Sequence, residues 1–303
     1  MTEHEASPTP PPDAVVALGR FVVRRFVVRR VLPLLALLVL LVAGWGYWVE
    51  TWMPVVRHAT VTLDQPAMRG QRLTLALVSD IHVGSHGMSA ARLDRVVALI
   101  NAQRPDAIVL AGDFVNGDKP NDPAFHPELL GGPLSRLRAP LGVYAVMGNH
   151  DSATDPVAVT RVLERAGITV LNDEAVRLGP IALLGFDDYT RRNLRMDQIL
   201  GRARALGGPI VAVEHAPNLG RTMPPDVPVL LAGHTHCGQI DIPGLSTANS
   251  PINGKKLYDP AFRCGLVASR GHQVFVTAGV GSGSFPLRIG TRTDFWMIAF
   301  TGR

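Results

Sequence analysis

The apolar positions of the chain fall into two regimes. Residues 31–49 run nineteen positions without a charge. At ~1.5 Å rise per residue, a helix of that length is about long enough to cross a ~30 Å hydrocarbon layer. From about Met53 the pattern changes to short apolar runs separated by polar segments. Runs at 73–78, 107–111, 142–147, 168–171, 181–184, 210–213, 227–232, 273–278 and 295–300 predict strands, the first of them buried on both faces. Ser89 is placed to cap a helix that carries Leu93, Val96, Val97 and Ile100 on one face and ends near Gln103, before Pro105. Asp155-Pro156 opens a second helix, with Leu163 on its apolar side and Gly167 at its close, and residues 194–206 predict a third. Strands alternating with helices make an α/β domain, in which sites gather at the carboxyl ends of strands. No repeat or linker interrupts residues 53–303, which read as one domain.

The long apolar run has asymmetric flanks. Arg20, Arg24, Arg25, Arg29 and Arg30 precede it, whereas only Arg57 and Arg69 appear soon after it. Trp45, Tyr47, Trp48 and Trp52 cluster at its far end, where aromatic rings prefer the headgroup region. A buried core helix is the alternative, but it would need neither the arginines nor an apolar circumference. The expectation is therefore a disordered, Arg-rich cytoplasmic tail over residues 1–30 and a transmembrane anchor over 31–49. The domain at 53–303 then lies on the extracytoplasmic side of the cell membrane, after a single pass. The paired arginines match a twin-arginine export signal only loosely. No small-x-small cleavage site precedes Trp45, so a retained anchor is favoured over a removed signal.

Composition changes this picture little. Of 303 residues, 47% are apolar, ample for a core, and the net charge is +5. The first thirty residues hold five Arg against Glu3, Glu5 and Asp13, so they account for +2 and the remainder for +3. No specific nucleic-acid surface is implied by so mild a balance. Cys237 and Cys264 are too few for a disulfide framework; one disulfide and two buried thiols both remain open.

The histidines change it a great deal. Five of the ten fall in motifs that end apolar runs: Asp80-Ile81-His82, Gly148-Asn149-His150-Asp151, His215, and Gly233-His234-Thr235-His236; Gly112-Asp113 is the fifth motif. Any one of them could be a helix cap or a hydrogen-bonded core residue. All five in one α/β chain, each at a strand end, read as one dinuclear metal centre that cleaves a phosphate ester. Gly112, Gly148 and Gly233 each precede a candidate ligand, where the lack of Cβ lets the chain turn tightly.

This set resembles the calcineurin-like metallophosphoesterase superfamily over roughly residues 73–300. The amino-terminal segment, His-Thr-His-Cys-Gly-Gln at 234–239 and Phe285-Pro286-Leu287-Arg288 are similar to its bacterial membrane-associated branch. The resemblance implies a four-layer α/β/β/α sandwich of two mixed sheets. It implies one metal on Asp80, His82 and His236, a second on Asn149, His215 and His234, and Asp113 bridging both. Such mixed shells suit Mn, Fe or Zn better than Ca or Mg, and two ions ~3.5–4 Å apart can hold a bridging hydroxide for an in-line displacement. His150 is then the proton donor to the leaving group, with Asp151 on its other ring nitrogen. Asn116 either bonds a phosphate oxygen or caps a turn, and Arg288 either meets substrate anion or forms a surface salt bridge. His86 belongs to a surface loop and Cys237 to packing. The expected function is phosphodiester or pyrophosphate hydrolysis, and the anchor brings a lipid-linked phosphate into consideration. The alternatives are a phosphomonoesterase or a scaffold that keeps the fold without chemistry. A zinc peptidase lacks its His-Glu-x-x-His helix here.

Overall fold

A computed structural model describes residues 12–187, 196–241, 258–283 and 285–303. It divides into two compact units, residues 1–45 and 46–303.

In the first unit, α1 (Pro12–Phe26) runs through a π-helical turn at Val27–Val31 into α2 (Leu32–Thr51). The π turn has a local cause. Pro33 brings no N–H and its ring crowds the carbonyl four residues back, so the ladder shifts and the Leu32 N–H reaches the Val27 carbonyl instead. The disordered tail expected over residues 1–30 is thus helical from Pro12 onward, with no proline between Pro12 and Pro33 to interrupt the ladder; residues 1–11 of that tail lie outside the described residues. The helix from Arg20 to Thr51 is long and apolar enough to cross a membrane. Its final residues, from Gly46, belong to the second unit, with Val49 and Glu50 buried.

The second unit is built on two six-stranded sheets. The first follows the order β1 (Val55–Thr62), β12 (Asp294–Thr301), β2 (Arg72–Val78), β3 (Ala107–Ala111), β4 (Val143–Val146), β5 (Thr169–Val170). Only the β12–β2 pair in it is antiparallel. The second follows β10 (Gly265–Ser269), β11 (His272–Val276), β9 (Val229–Ala232), β8 (Ile210–Val213), β7 (Ile181–Gly185), β6 (Glu174–Leu178), antiparallel only at its two outermost pairs.

Alternation along the strands makes four layers. Leu75, Leu77 and Val109 meet Leu183, Val211, Leu231 and Phe275 between the sheets. The intervening Ala76, Val78, Ile108 and Leu110 face α3 (Ala90–Ala102) and, beyond the short α4 (Glu128–Leu134) and α5 (Asn149–Ala153) in the chain, α6 (Pro156–Arg165), through Leu93, Val97, Val159 and Leu163. On the far side, Leu184, Ala212 and Leu230 pack on Ile199, Leu200 and Ala203 of α7 (Met196–Leu206). Central strands covered on both faces need side chains that are apolar throughout, which is why they appear as unbroken runs. The first two positions of the helix expected over 194–206 lie outside the described residues. Ser89 does cap α3, accepting from the Arg92 N–H, and Asp155 caps α6.

Candidate metal centre

The carboxyl ends of both sheets converge on one cavity of about 290 Å³, lined by Asp113, Asn149, His150, His234, Thr235, His236, Gly238, Gln239 and Tyr258. The first sheet sends Asp80 and His82 from the end of β2, Asp113 from β3 and Asn149 from β4. The second sends His215 from β8 and the pair His234 and His236 from β9. Five of these seven residues, Asp80, His82, Asp113, His234 and His236, hold the left-handed backbone conformation. Such strain costs roughly 1–3 kcal/mol per residue and persists only where the surroundings impose it. Gly112 shares that conformation at φ +84, but Gly148 and Gly233 do not. Those two are glycine for space: a Cβ at Gly148 would stand 2.2 Å from Asp113 Oδ1, and one at Gly233 1.9 Å from Ser79 Oγ.

Each aspartate divides its work between two oxygens. Asp80 Oδ2 accepts from the His234 backbone N–H at 3.0 Å, leaving a buried Oδ1 that has no hydrogen-bond partner among the described residues. That Oδ1 faces His236 Nε2 at 3.5 Å and His82 Nε2 at 3.8 Å, while the two ring nitrogens stand 3.3 Å apart. Asp113 Oδ1 accepts from the His150 N–H at 2.9 Å, and its Oδ2 lies 3.6 Å from His82 Nε2 and 3.1 Å from His215 Nε2. His215 Nε2 is also 3.1 Å from Asn149 Oδ1 and 3.2 Å from His234 Nδ1. The His215 ring is oriented by its Nδ1, 2.7 Å from the Ala111 carbonyl.

This donor set fits two divalent cations sharing Asp113. Atoms at ~2.0–2.3 Å from one ion stand roughly 3–3.8 Å from each other, and the separations between candidate donor atoms fall in that range. The partnerless Asp80 oxygen is explained by a cation and by little else in a buried, polar site. Burial, joined by the charge of Arg288, pushes His236 well below its ordinary value, and burial takes His82 down to about 3. Both rings therefore offer lone pairs. Burial also opposes a charge on His215, but the charge and hydrogen bond of Asp113 outweigh it and raise His215 to about 10. Burial would raise Asp113, yet His215, His150 and His82 hold its carboxylate well below the usual range. A proton shared by His215 and Asp113 would give way to a divalent ion held between them.

Residues 73–238 match the model of the calcineurin-like phosphoesterase family. The chain belongs to that family. It is 31% identical to a zebrafish (Danio rerio) "Transmembrane protein with metallophosphoesterase domain" over 73% of this chain and 52% of that one. It is 30% identical to the uncharacterized metallophosphoesterase YkoQ of Bacillus subtilis, over 86% and 96%. A cattle (Bos taurus) protein with the same description as the zebrafish one is 27% identical over 78% and 55%. The chain spans about half the length of these two animal relatives. The two mixed sheets and their flanking helices agree with the metallophosphoesterase fold.

Within this metallophosphoesterase site two residues, Asp151 and Arg288, differ from the sequence-based expectation. Asp151 does not face the His150 ring. Its carboxylate is buried and accepts from the backbone N–H groups of Asp113, Phe114, Val115 and Gly148, so it shapes the loops that carry the candidate ligands. The His150 Nδ1 lies 2.6 Å from the Gly117 carbonyl and 3.1 Å from Asp118 Oδ1 instead. Arg288 is neither at the surface nor open to substrate: it is fully buried against Glu50. Cys237 does pack under the site, but as half of a disulfide with Cys264. Asn116 is buried and is not among the residues lining the cavity, and His86 is exposed. Sequence reasoning missed Tyr258, whose buried hydroxyl lacks a partner among the described residues, and Gln239, which donates to the Phe285 carbonyl at 2.6 Å. No strand-end motif marks either.

Proposed function

We propose that the chain is a membrane-anchored, dinuclear metal-dependent phosphoesterase that hydrolyses a phosphodiester or pyrophosphate. The observation that carries the reading is one oxygen, Asp113 Oδ2, within 3.6 Å of His82 Nε2 and 3.1 Å of His215 Nε2, so that two donor sets share a carboxylate. Asp80, His82 and His236 would hold one ion, and Asn149, His215 and His234 the other. When bound, the two ions would supply Lewis-acid activation of the phosphoryl group and of the attacking water.

The remaining chemistry belongs to side chains. Burial disfavours a charged His150, but Asp113, the Gly117 carbonyl and Asp118 outweigh that and raise its pKa. With Nδ1 held by Gly117, His150 presents Nε2 as the proton donor to the departing oxygen. The Tyr258 hydroxyl, which lines the cavity, is one donor available to a phosphoryl oxygen.

Five arginines before the apolar helix support a cytoplasmic amino terminus and an extracytoplasmic domain. The Cys237–Cys264 disulfide favours the same side, since disulfides persist in oxidising compartments. A site tethered there favours a lipid-linked phosphate as substrate. The test uses the full chain in detergent, loaded with Mn and assayed on an aryl phosphodiester and on lipid pyrophosphates. Asp113→Ala or His236→Ala should lower metal-dependent hydrolysis by about 10³-fold; hydrolysis unchanged by both substitutions refutes the reading.

A further inference from the structure

Arg288 is the largest fully buried side chain among the described residues, and Glu50, at the end of α2, is equally inaccessible. Charged groups are buried this completely only when paired. Arg288 Nε donates to Glu50 Oε2 at 2.5 Å, and Ser282 Oγ donates to the same oxygen at 2.7 Å. The rest of the guanidinium reaches the metal centre. Nη1 donates to the His236 carbonyl at 3.0 Å, and Nη2 to the carbonyls of Ala278 and Gly281 at 2.8 and 2.9 Å. The Gly281 N–H in turn donates to the Asp80 carbonyl at 2.8 Å. One planar fork thus ties the backbone of His236 to the segment that holds Asp80, two candidate ligands of one cation.

Two physical needs meet in that arrangement. His236 sits at φ +48, a conformation that requires an outside restraint, and Arg288 is bonded to its carbonyl. The same guanidinium stands 3.3 Å from His236 Nδ1, so its positive charge, left alone, would repel an ion on the far nitrogen of that ring. Glu50 supplies the compensating charge. Its backbone is itself fixed, because the buried Arg92 donates to the carbonyls of Glu50 and Trp52 at 2.7 and 3.0 Å, closing the last turn of α2.

We propose that Glu50 and Arg288 are positioning residues for the Asp80–His82–His236 triad. Arg288 holds His236 in place, and Glu50 cancels the charge that would weaken the ion there. The carboxyl end of the apolar helix is then part of the support of the metal centre. This rests on the dinuclear reading above.

The test is cobalt titration of the full chain in detergent, followed by visible absorption, which reports the geometry around each ion, and by metal analysis. Wild type should take up two ions per chain, and His236→Ala identifies the band that belongs to its triad. Glu50→Gln keeps shape and hydrogen bonding but strands the Arg288 charge. It should weaken uptake at that triad about tenfold or more and shift its band, while leaving the ion on Asn149, His215 and His234 unchanged. Arg288→Lys should do the same, because one ammonium cannot reach all three carbonyls. Should Glu50→Gln fail to fold, Ser282→Ala, which only loosens the carboxylate, should give the same change in smaller measure. Asp226→Asn, which breaks the surface pair with Arg204, should alter neither ion. Glu50→Gln and Arg288→Lys proteins that bind both ions with wild-type affinity and spectrum, even at a lowered Tm, overturn the proposal alone. A wild type that takes up no cobalt overturns the dinuclear reading, and this proposal with it.

Discussion

His82 and His215 stand on either side of the same Asp113 oxygen, at 3.6 and 3.1 Å, yet their protonation is opposite. Burial takes His82 down to about 3, whereas at His215 the charge and hydrogen bond of Asp113 overcome burial and lift it to about 10. The difference lies in the neighbours. His82 Nε2 looks into another imidazole, His236, as well as two more distant carboxylates. His215 lies within hydrogen-bonding distance of Asp113 and is braced from behind by the Ala111 carbonyl. The first half brings a carboxylate of its own, Asp80, where the second brings the neutral Asn149. On the dinuclear reading proposed above, one half would attract a cation by charge and the other by prearranged geometry.

The sharpest way to break this contrast is Asp80→Asn, which gives both halves the same amide-and-imidazole composition. It should weaken the ion at His82 and His236 by about 100-fold or more and lower hydrolysis with it, read by metal content beside kcat. Graded chelation comes next in size. The half without its own carboxylate should release its ion first, so the metal-to-protein ratio should pause near one before falling to zero, while a single-step loss would deny the asymmetry.

The smallest effect is on the stability of metal-free protein. His82 resists protonation when folded but accepts a proton near its ordinary 6.5 when unfolded, so stability falls as pH drops from 6.5 toward 3. His215 keeps its proton to about 10 when folded, so its contribution is full below 6.5 and is lost as pH rises toward 10. Thermal unfolding of the metal-free chain should therefore peak near pH 6.5. Added metal should remove the alkaline loss by taking the proton's place on His215.

Much of this was readable in the chain itself. The central strands are apolar throughout because helices or the other sheet cover each face, and so they declare themselves. The ligand types at their ends do the same. The outer strands β1, β6 and β10 escaped because they are only partly covered, and residues such as Arg57, His58 and Arg177 interrupt their apolar pattern. Asp151 and Arg288 were misread for a different reason. A carboxylate beside a histidine and an arginine near a site are equally good as catalytic groups and as internal braces. Only the placement of the Asp113–Val115 N–H groups and of Glu50, 238 positions away from Arg288, decides between the two. The disulfide was open for the same reason, since no local pattern ties Cys237 to Cys264. Nor does sequence announce that five candidate ligands adopt a left-handed backbone.

Gly148 and Gly233 set the tolerance of the whole centre. The space each leaves is already occupied, by the Asp113 carboxylate in one case and by Ser79 and Asp80 in the other. A substitution that spares every candidate ligand can therefore still dismantle the site by adding a single methyl group at either position.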